Sequence, residues 1–373
     1  MRILILNWRD TRHPKSGGAE AVTMEYAKWW VHMGHQVTWF TSGYRGAKNE
    51  EFIDSIRIIR QAGSQTVYLL TPLYLLFHSH EYDLIVDEVH GIPFFSPLFT
   101  KKPIIVFIHE IAGDIWNFMY HPPISWIGKN LEELYLRLYR YKLFWTDSES
   151  TAGELIERGI KRNLITVIPC PIPSFTLSIA ETVKDKKEKI PTFIFVSRVV
   201  KMKGIEEVVK AFAFIQKEMP VSQLWIVGGG EEAYVKKIQS MIREYGINEN
   251  VTWFGKLNEK EKLTCMAKAH VLLHASVKEG WGLVVLEAGF LYTPSVVYNV
   301  PGLRDVVHDK ITGIVVSDNS PLELARASLC LYRDKERYKK YQTNAHTWAE
   351  SLTWDITGKK SETILKRAIG KYP

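Results

Sequence analysis

The chain alternates short apolar runs with stretches in which apolar residues recur every three or four positions. Short runs bounded by glycine, proline and polar residues predict buried strands, and the periodic stretches predict helices. Arg2 to Asn7 reads as the first strand, followed by a polar and basic loop that ends in Ser16-Gly17-Gly18-Ala19-Glu20. A helix from Ala21 to Met33, closed by Gly34, leads into a second strand from His35 to Thr41. Strand, glycine loop, helix, strand is a parallel unit with helices on the sheet faces. Further strands are expected from Tyr82 to Val86 and from Pro103 to Ile108, the second running into His109. Thr146 to Glu154 reads as a strand end followed by a helix capped by Ser or Thr.

The pattern restarts after a break. Thr176 to Pro191 is poor in apolar residues and carries a charge run from Lys184 to Lys189, which predicts a linker over 176–190 between domains at 1–175 and 191–353. Strands are expected at Phe193 to Val196, Leu224 to Val227, Val251 to Lys256, Val271 to Leu273, Pro294 to Tyr298 and Gly313 to Val316. Helices are expected at Ile205 to Phe214, Ala233 to Tyr245, Glu259 to Ala269, Leu283 to Leu291, from Leu303, and at Pro321 to Tyr341. A last helix is expected from Trp354 to Lys371, within a segment 354–373. The fold class is therefore α/β with two parallel-sheet domains, and 373 residues are too many for one ordinary core.

Composition narrows the setting. A chain that is 46% hydrophobic and 24% charged is globular, without a disordered or low-complexity profile. Cys170, Cys265 and Cys330 lie far apart with no Cys-x-x-Cys or Cys/His cluster, so neither a disulfide framework nor a zinc site is indicated, and a reducing cytoplasm fits. Met1 runs straight into an apolar strand, which is not the form of a signal peptide. The longest apolar run, Val67 to Phe77, contains Thr71 and Pro72 and is too short to span a bilayer. The net charge of +7, with 12 Trp and 17 Tyr, suits nucleic acid, an anionic membrane face or a phosphate-bearing substrate. No zinc-finger or RNA-binding aromatic signature occurs, which ranks nucleic acid last.

The chemistry concentrates between Val271 and Glu287. A strand there turns through Lys278-Glu279-Gly280-Trp281-Gly282 into a helix, which directs unpaired N–H groups and a positive helix dipole at one point and favours a bound phosphate. Glu279 and Glu287 flank the turn, and a fixed carboxylate accepts hydrogen bonds from sugar and ribose hydroxyls. Gly17-Gly18 repeats this arrangement at an earlier helix start, and His109 lies at the carboxyl end of a strand, where such sheets bind ligands. Ser197 to Gly204 supplies two cations, Arg198 and Lys203. Gly228-Gly229-Gly230 before a helix nearly spells a dinucleotide fingerprint, but Glu231 and Glu232 oppose a phosphate at that helix start, so no cofactor is inferred.

The segment Lys278 to Glu287 resembles the Glu-x7-Glu signature of retaining nucleotide-sugar glycosyltransferases, most closely glycosyltransferase family four (glycosyl transferases group 1). Arg198 to Gly204 resembles the family's Arg-x4-Lys-Gly element, with Ser197 in place of a preceding glycine, and Gly17-Gly18-Ala19-Glu20 its glycine loop. The chain departs from it at Cys170-Pro171-Ile172-Pro173, where the family writes Asn-Gly-Val-Asp. The resemblance implies the GT-B fold, two Rossmann-like domains with an interdomain cleft, and a C-terminal helix, in segment 354–373, that packs back on the first domain. It also implies retaining transfer of a sugar from a nucleoside-diphosphate donor to an acceptor hydroxyl, by same-face attack. Arg198 and Lys203 would carry the leaving diphosphate, Glu279 and His109 the sugar, and Glu287 the ribose. Gly280, Trp281, Gly282, Leu283, Gly17, Gly18 and Gly229 would line the donor site. The chain contains no Asp-x-Asp, the usual metal-presenting pair of the other common glycosyltransferase fold, so no metal and no cofactor is expected.

Two questions stay open at this level. Residues 112–145 carry Trp116, Phe118, Trp126 and Ile127, then Leu131, Leu134, Leu138 and Tyr141 on one stripe of a helix from Asn130 to Leu143, with Arg137, Arg140 and Lys142 beside it. This is either a peripheral contact at the inner face of the cell membrane, suited to a lipid-linked acceptor, or a helix packed on its own core. A nucleotide-sugar epimerase or hydrolase, or a non-catalytic partner subunit of the same fold, is the alternative to a transferase.

Overall fold

The computed structural model describes residues 1–370, so the last residue of the expected terminal helix, Lys371, and the end of its segment, 372–373, lie outside the described residues. The chain forms two compact units, Met1–Pro173 together with the segment from Thr353 onward, and Ser174–Leu352. The first unit runs β1 (Arg2–Leu6), α1 (Gly18–His32), β2 (Gln36–Thr41), β3 (Glu50–Ile53), β4 (Ile56–Arg60), α2 (Val67–His78), β5 (Leu84–Val89), β6 (Ile104–Ile108), α3 (Ile115–Met119), α4 (Ile124–Tyr139), β7 (Leu143–Thr146), α5 (Glu149–Glu157) and β8 (Ile165–Val167). The second runs α6 (Ser174–Ala180), β9 (Thr192–Val196), α7 (Ile205–Glu218), β10 (Gln223–Val227), α8 (Glu232–Glu244), β11 (Val251–Gly255), α9 (Glu259–Lys268), β12 (Val271–His274), α10 (Leu283–Phe290), β13 (Ser295–Val297), α11 (Leu303–Val306), β14 (Gly313–Val315), α12 (Pro321–Arg333) and α13 (Lys335–Ser351). The last helix, α14 (Trp354–Ala368), belongs to the first unit.

In the first unit the strand order is β3-β4-β2-β1-β5-β6-β7-β8, parallel except for β3 on β4. Most of the strands buried on both faces are apolar runs, as in Ile3 to Leu6 and Ile104 to Ile108. Val67, Tyr74 and Leu75 of α2 share a core cluster with Tyr135, Leu136 and Tyr139 of α4 and with Ala152 and Leu155 of α5, so these three helices cover one face. On α1 the indole of Trp30 donates to Ser361 of α14 at 3.0 Å, and His35 lies 2.6 Å from Glu362.

Several elements differ from expectation. β5 continues past Val86 through Asp87 and Glu88, two carboxylates with no exposed surface. Asp87 accepts from Ser96 Oγ at 2.6 Å and from the Phe94 amide at 3.2 Å, so polar residues sit inside a buried strand because they are fully partnered. The aromatic helix spans Ile124–Tyr139, and Leu143 already begins β7. Tyr135, Leu136 and Tyr139 face its core, Trp116 packs under Gly128, and Trp126, Ile127, Leu134 and Tyr141 remain exposed. The Val67 to Phe77 run is helical, with Leu69, Leu73, Leu76 and Phe77 exposed at helical spacing. Among the described residues no helix is long and apolar enough to cross a membrane. The expected single helix from Pro321 to Tyr341 breaks at Asp334, whose carboxylate accepts from the Arg337 amide and starts α13.

The second sheet is wholly parallel, in the order β11-β10-β9-β12-β13-β14. The stretch expected to be a linker is fastened to this unit. Its first residues form α6, where Thr176 donates to Glu259 at 2.9 Å, and the Glu188 amide donates to the Lys268 carbonyl. Lys187 is inserted so that its ammonium donates to the Ala269 carbonyl and to Thr293 Oγ1. Burial without a carboxylate partner lowers its pKa to about 7. Between about pH 7 and the ordinary lysine value the unfolded chain binds more protons at this site than the folded one, so its contribution to stability rises with pH. Urea unfolding of Lys187→Met should therefore show a variant that gains on wild type at pH 6 and loses that advantage toward pH 10. A pH-independent difference would contradict the burial argument.

Candidate active site

In the second unit β9 and β12 lie side by side. From β9 the chain moves to β10 and β11 on one side, then returns to β12 and continues outward on the other. The loops at the carboxyl ends of these two strands flank this reversal, where open α/β sheets bind ligands. They are stitched together: the Val277 amide donates to the Met202 carbonyl at 2.9 Å, and Ser276 Oγ to the same oxygen at 3.0 Å. Gly204 makes the approach possible. It sits at φ 71°, and a Cβ there would lie 1.8 Å from the Ala275 carbonyl oxygen. Gly302, at φ 80°, packs likewise on the Glu279 carbonyl, 2.2 Å from where a Cβ would stand.

This packing brings Lys203 and Glu279 together. Lys203 Nζ lies 2.6 Å from Glu279 Oε1, and His274 Nε2 lies 2.9 Å from the same oxygen. Burial opposes the charge on Glu279, but Lys203 and His274 overcome it and hold the carboxyl well below the usual carboxylate range. Glu279 is thus an ionised acceptor whose cation sits beside it. His274 was not singled out in the sequence, although it ends β12 as His109 ends β6, and the same strand-end rule identifies it.

The remaining residues of this half distribute around the pair. Gly282 is the left-handed N-cap of α10, Leu283 its first residue, Trp281 is buried, and Gly280 is partly covered. Arg198 is exposed beside the Gly228–Gly230 turn, fixed by the Val199 amide donating to the Gly229 carbonyl at 2.8 Å. Glu287 is buried in α10 and is held by Lys262 of α9 at 2.7 Å, where burial lifts its carboxyl above the ordinary range despite that lysine. The cations and carboxylates expected to converge thus make one direct contact, Lys203 to Glu279, while Glu287 has a lysine that the sequence reading did not weigh.

The first unit holds a second polar cluster at its own strand ends. His109 uses Nδ1 on Asp147, and its Nε2 lies 3.1 Å from Glu88 Oε1. His90 Nε2 meets that same oxygen at 3.0 Å. Thr23 donates to Glu88 at 2.8 Å, and the Cys170 thiol to Asp147 at 2.8 Å. Burial opposes a charged imidazole, but Asp147 and Glu88 overcome it and raise the pKa of His109 to about 10. Sequence reasoning found His109 and missed Glu88, His90 and Asp147, which come from two other strand ends. Glu88, His90 and His109 also offer one ligand atom each within 4.8 Å of one another, the arrangement among the described residues that could hold a metal ion. Gly17 precedes α1 and Gly18 begins it, but the Gly17 amide donates to Glu20 at 2.7 Å, so a protein carboxylate already takes the place an anion would occupy at Gly17. In the same loop Asp10 is buried against Arg60.

The comparisons with known proteins converge on one group. The family model for glycosyl transferases group 1 matches residues 179–348, and that for Glycosyltransferase Family 4 matches residues 16–174. A D-inositol 3-phosphate glycosyltransferase of Paenarthrobacter aurescens is 32% identical over 166 residues, 44% of this chain and 41% of that protein. The chain spans about half the length of the curated relatives it matches. Sucrose-phosphate synthase from Thermosynechococcus elongatus superposes with a TM-score of 0.81 at 18% identity, over 99% of both chains. Anabaena HepE in complex with UDP-glucose superposes at 0.73 and 19% identity, covering 98% of this chain and 100% of that one. The solved structures, at 18% and 19% identity, show the GT-B fold, and with one family model on each half of the sequence the chain belongs to glycosyltransferase family four.

Proposed function

We propose that this protein moves a sugar, with retention, from a UDP- or GDP-sugar to an acceptor hydroxyl, without a metal ion. The observation that carries the reading is the Lys203–Glu279 pair at the strand reversal of the second unit. In the reaction the bond between the anomeric carbon and the diphosphate oxygen breaks as the acceptor oxygen bonds to that carbon on the same face. The acceptor proton passes to the departing phosphate. Negative charge grows on that phosphate, and Lys203, with Arg198 beside the glycine turn, offsets it. Glu279, already ionised, accepts hydrogen bonds from hydroxyls of the transferred sugar, and Glu287 from the ribose. A UDP donor is favoured by HepE, a structural neighbour whose structure is titled as a complex with UDP-glucose.

The test is a thermal-shift screen with UDP, GDP, ADP and their sugar conjugates, since a ligand that binds only the folded state raises Tm by mass action. One nucleotide is expected to stand out, and Glu287→Ala should weaken it about tenfold or more by calorimetry, with a smaller effect on turnover of bound donor. Unchanged nucleotide affinity in that variant would remove the ribose role. Product analysis with and without an added acceptor separates transfer from isomerised or hydrolysed donor.

The acceptor we assign is a lipid-linked or polysaccharide-precursor saccharide at the inner face of the cell membrane. Support comes from Leu69, Leu73, Leu76 and Phe77 on α2 and Trp126 and Ile127 on α4, all exposed on helices that cover one sheet face, with Arg137 and Arg140 also exposed on α4. Flotation with anionic vesicles should carry the wild-type chain upward and leave Leu73→Glu/Phe77→Glu behind. Equal flotation of both would exclude the α2 stripe as the contact.

A further inference from the structure

We propose that Glu88, His90 and His109 form a site for a zinc-like divalent transition metal, and that filling it arrests sugar transfer. The three ligand atoms are Glu88 Oε1, His90 Nε2 and His109 Nε2, all within 4.8 Å of one another. The carboxylate oxygen stands 3.0 and 3.1 Å from the two nitrogens. Ligand atoms on a tetrahedral zinc with arms of about 2.0–2.1 Å lie roughly 3.3 Å apart, so little movement is needed. Glu88 lies in β5, His90 directly follows that strand, and His109 directly follows β6, its neighbour in the sheet.

The surroundings are those of a metal site. Asp147 engages His109 Nδ1, which fixes the tautomer that presents Nε2, the carboxylate–histidine arrangement found behind zinc ligands. Thr23 orients Glu88, and the indole of Trp8 stacks on His90 at 5.5 Å. Two imidazoles and one carboxylate suit zinc, cobalt or nickel and not magnesium or calcium, which take oxygen ligands. Glu88 is fully buried while His90 and His109 keep 14% and 13% of their side-chain surface, so an ion approaches from the imidazole side. On binding, the protons between the rings and Glu88 leave to solvent. The His109 imidazole, which the family resemblance gives to the transferred sugar, is then occupied. The metal is therefore a brake, in keeping with a reaction that needs none; the braking half rests on the transfer reading, and the binding half does not.

Calorimetry of the full, chelator-treated chain with Zn2+ alone is expected to give one site per chain, with Mg2+ giving none. Cys330, the exposed thiol, is the competing zinc ligand, and Cys330→Ser should keep the site. Glu88→Gln and His90→Phe should abolish it, and Asp147→Asn should weaken it about 10–100-fold, with circular dichroism verifying that each variant is folded. Co2+ in place of zinc should give a visible spectrum without a thiolate charge-transfer band. Zn2+ should inhibit transfer in wild type, while His90→Phe transfers normally and resists inhibition. Absence of saturable Zn2+ binding, binding that survives Glu88→Gln and His90→Phe, or a thiolate band overturns the site. Equal inhibition of His90→Phe overturns the brake. A chain that binds Zn2+ by these residues but transfers no sugar keeps the site and refutes the transfer reading instead.

Discussion

Lys203→Met is expected to lower kcat by about a hundredfold or more, the usual cost of removing one preorganised group that offsets charge developing in the transition state. The substitution keeps an unbranched side chain only one atom shorter and leaves the packing of Gly204 on Ala275 in place, so the loss is one of charge. It also frees Glu279 from its nearest cation. With Lys203 in place the Glu279 carboxyl is held well below the ordinary range, so the wild-type acid limb should not come from this residue until the pH is far below 4.5. In Lys203→Met the limb from Glu279 should move to higher pH. The stability sign follows the same logic: a carboxylate with a depressed folded pKa stabilises above its unfolded pKa, and that contribution is lost as pH falls through the folded value. A steady-state pH profile of both proteins decides it, and a variant with wild-type kcat would remove Lys203 from the chemistry.

The second large effect concerns stability. Arg60 is 2% exposed at the end of β4 and grips Asp10 with two nitrogens, at 2.7 and 3.0 Å, while Nη1 reaches Glu51. Asp10 is fully buried in the loop between β1 and Gly17, and its other contacts include the Arg12 amide. Arg60→Leu leaves Asp10 buried with no counter-charge and should destabilise by about 3–5 kcal/mol. Asp10→Leu/Arg60→Leu should recover a large part of that loss, because neither charge then has to be desolvated. Urea unfolding of the three variants measures this, and a loss under about 1 kcal/mol in the single mutant would show that water reaches the pair.

What was legible in the chain followed from local rules. Strands such as Ile3 to Leu6 and Ile104 to Ile108 are apolar throughout and stood out as runs, and the turn from Lys278 to Gly282 announced itself by its glycines, with Glu279 inside it and Glu287 beyond. Three features were hidden for identifiable reasons. The β3–β4 hairpin turns at Asp54 and Ser55, both at positive φ, with no glycine to mark it. Pro72 inside Val67 to Phe77 obscured a helix that tolerates it. The partners of each site residue depend on strand order: His109 meets Glu88 because β5 and β6 are adjacent, and Glu287 meets Lys262 because α9 and α10 pack together. Spacing along one chain does not encode that adjacency, so Lys262, Glu88 and Asp147 emerged only with the tertiary structure, whereas His274, at the end of β12, was open to the strand-end rule.

The return of α14 to the first unit bears on how this protein can be taken apart. A fragment ending at Pro173 would strip the Trp30 indole and His35 of their partners Ser361 and Glu362 and lay bare the helix face they occupy. The second unit, by contrast, is one uninterrupted stretch, Ser174–Leu352. Chimaeras that exchange the second unit between relatives should therefore splice at both seams, grafting an internal cassette and keeping the host's own tail; a single crossover would import a foreign tail onto α1.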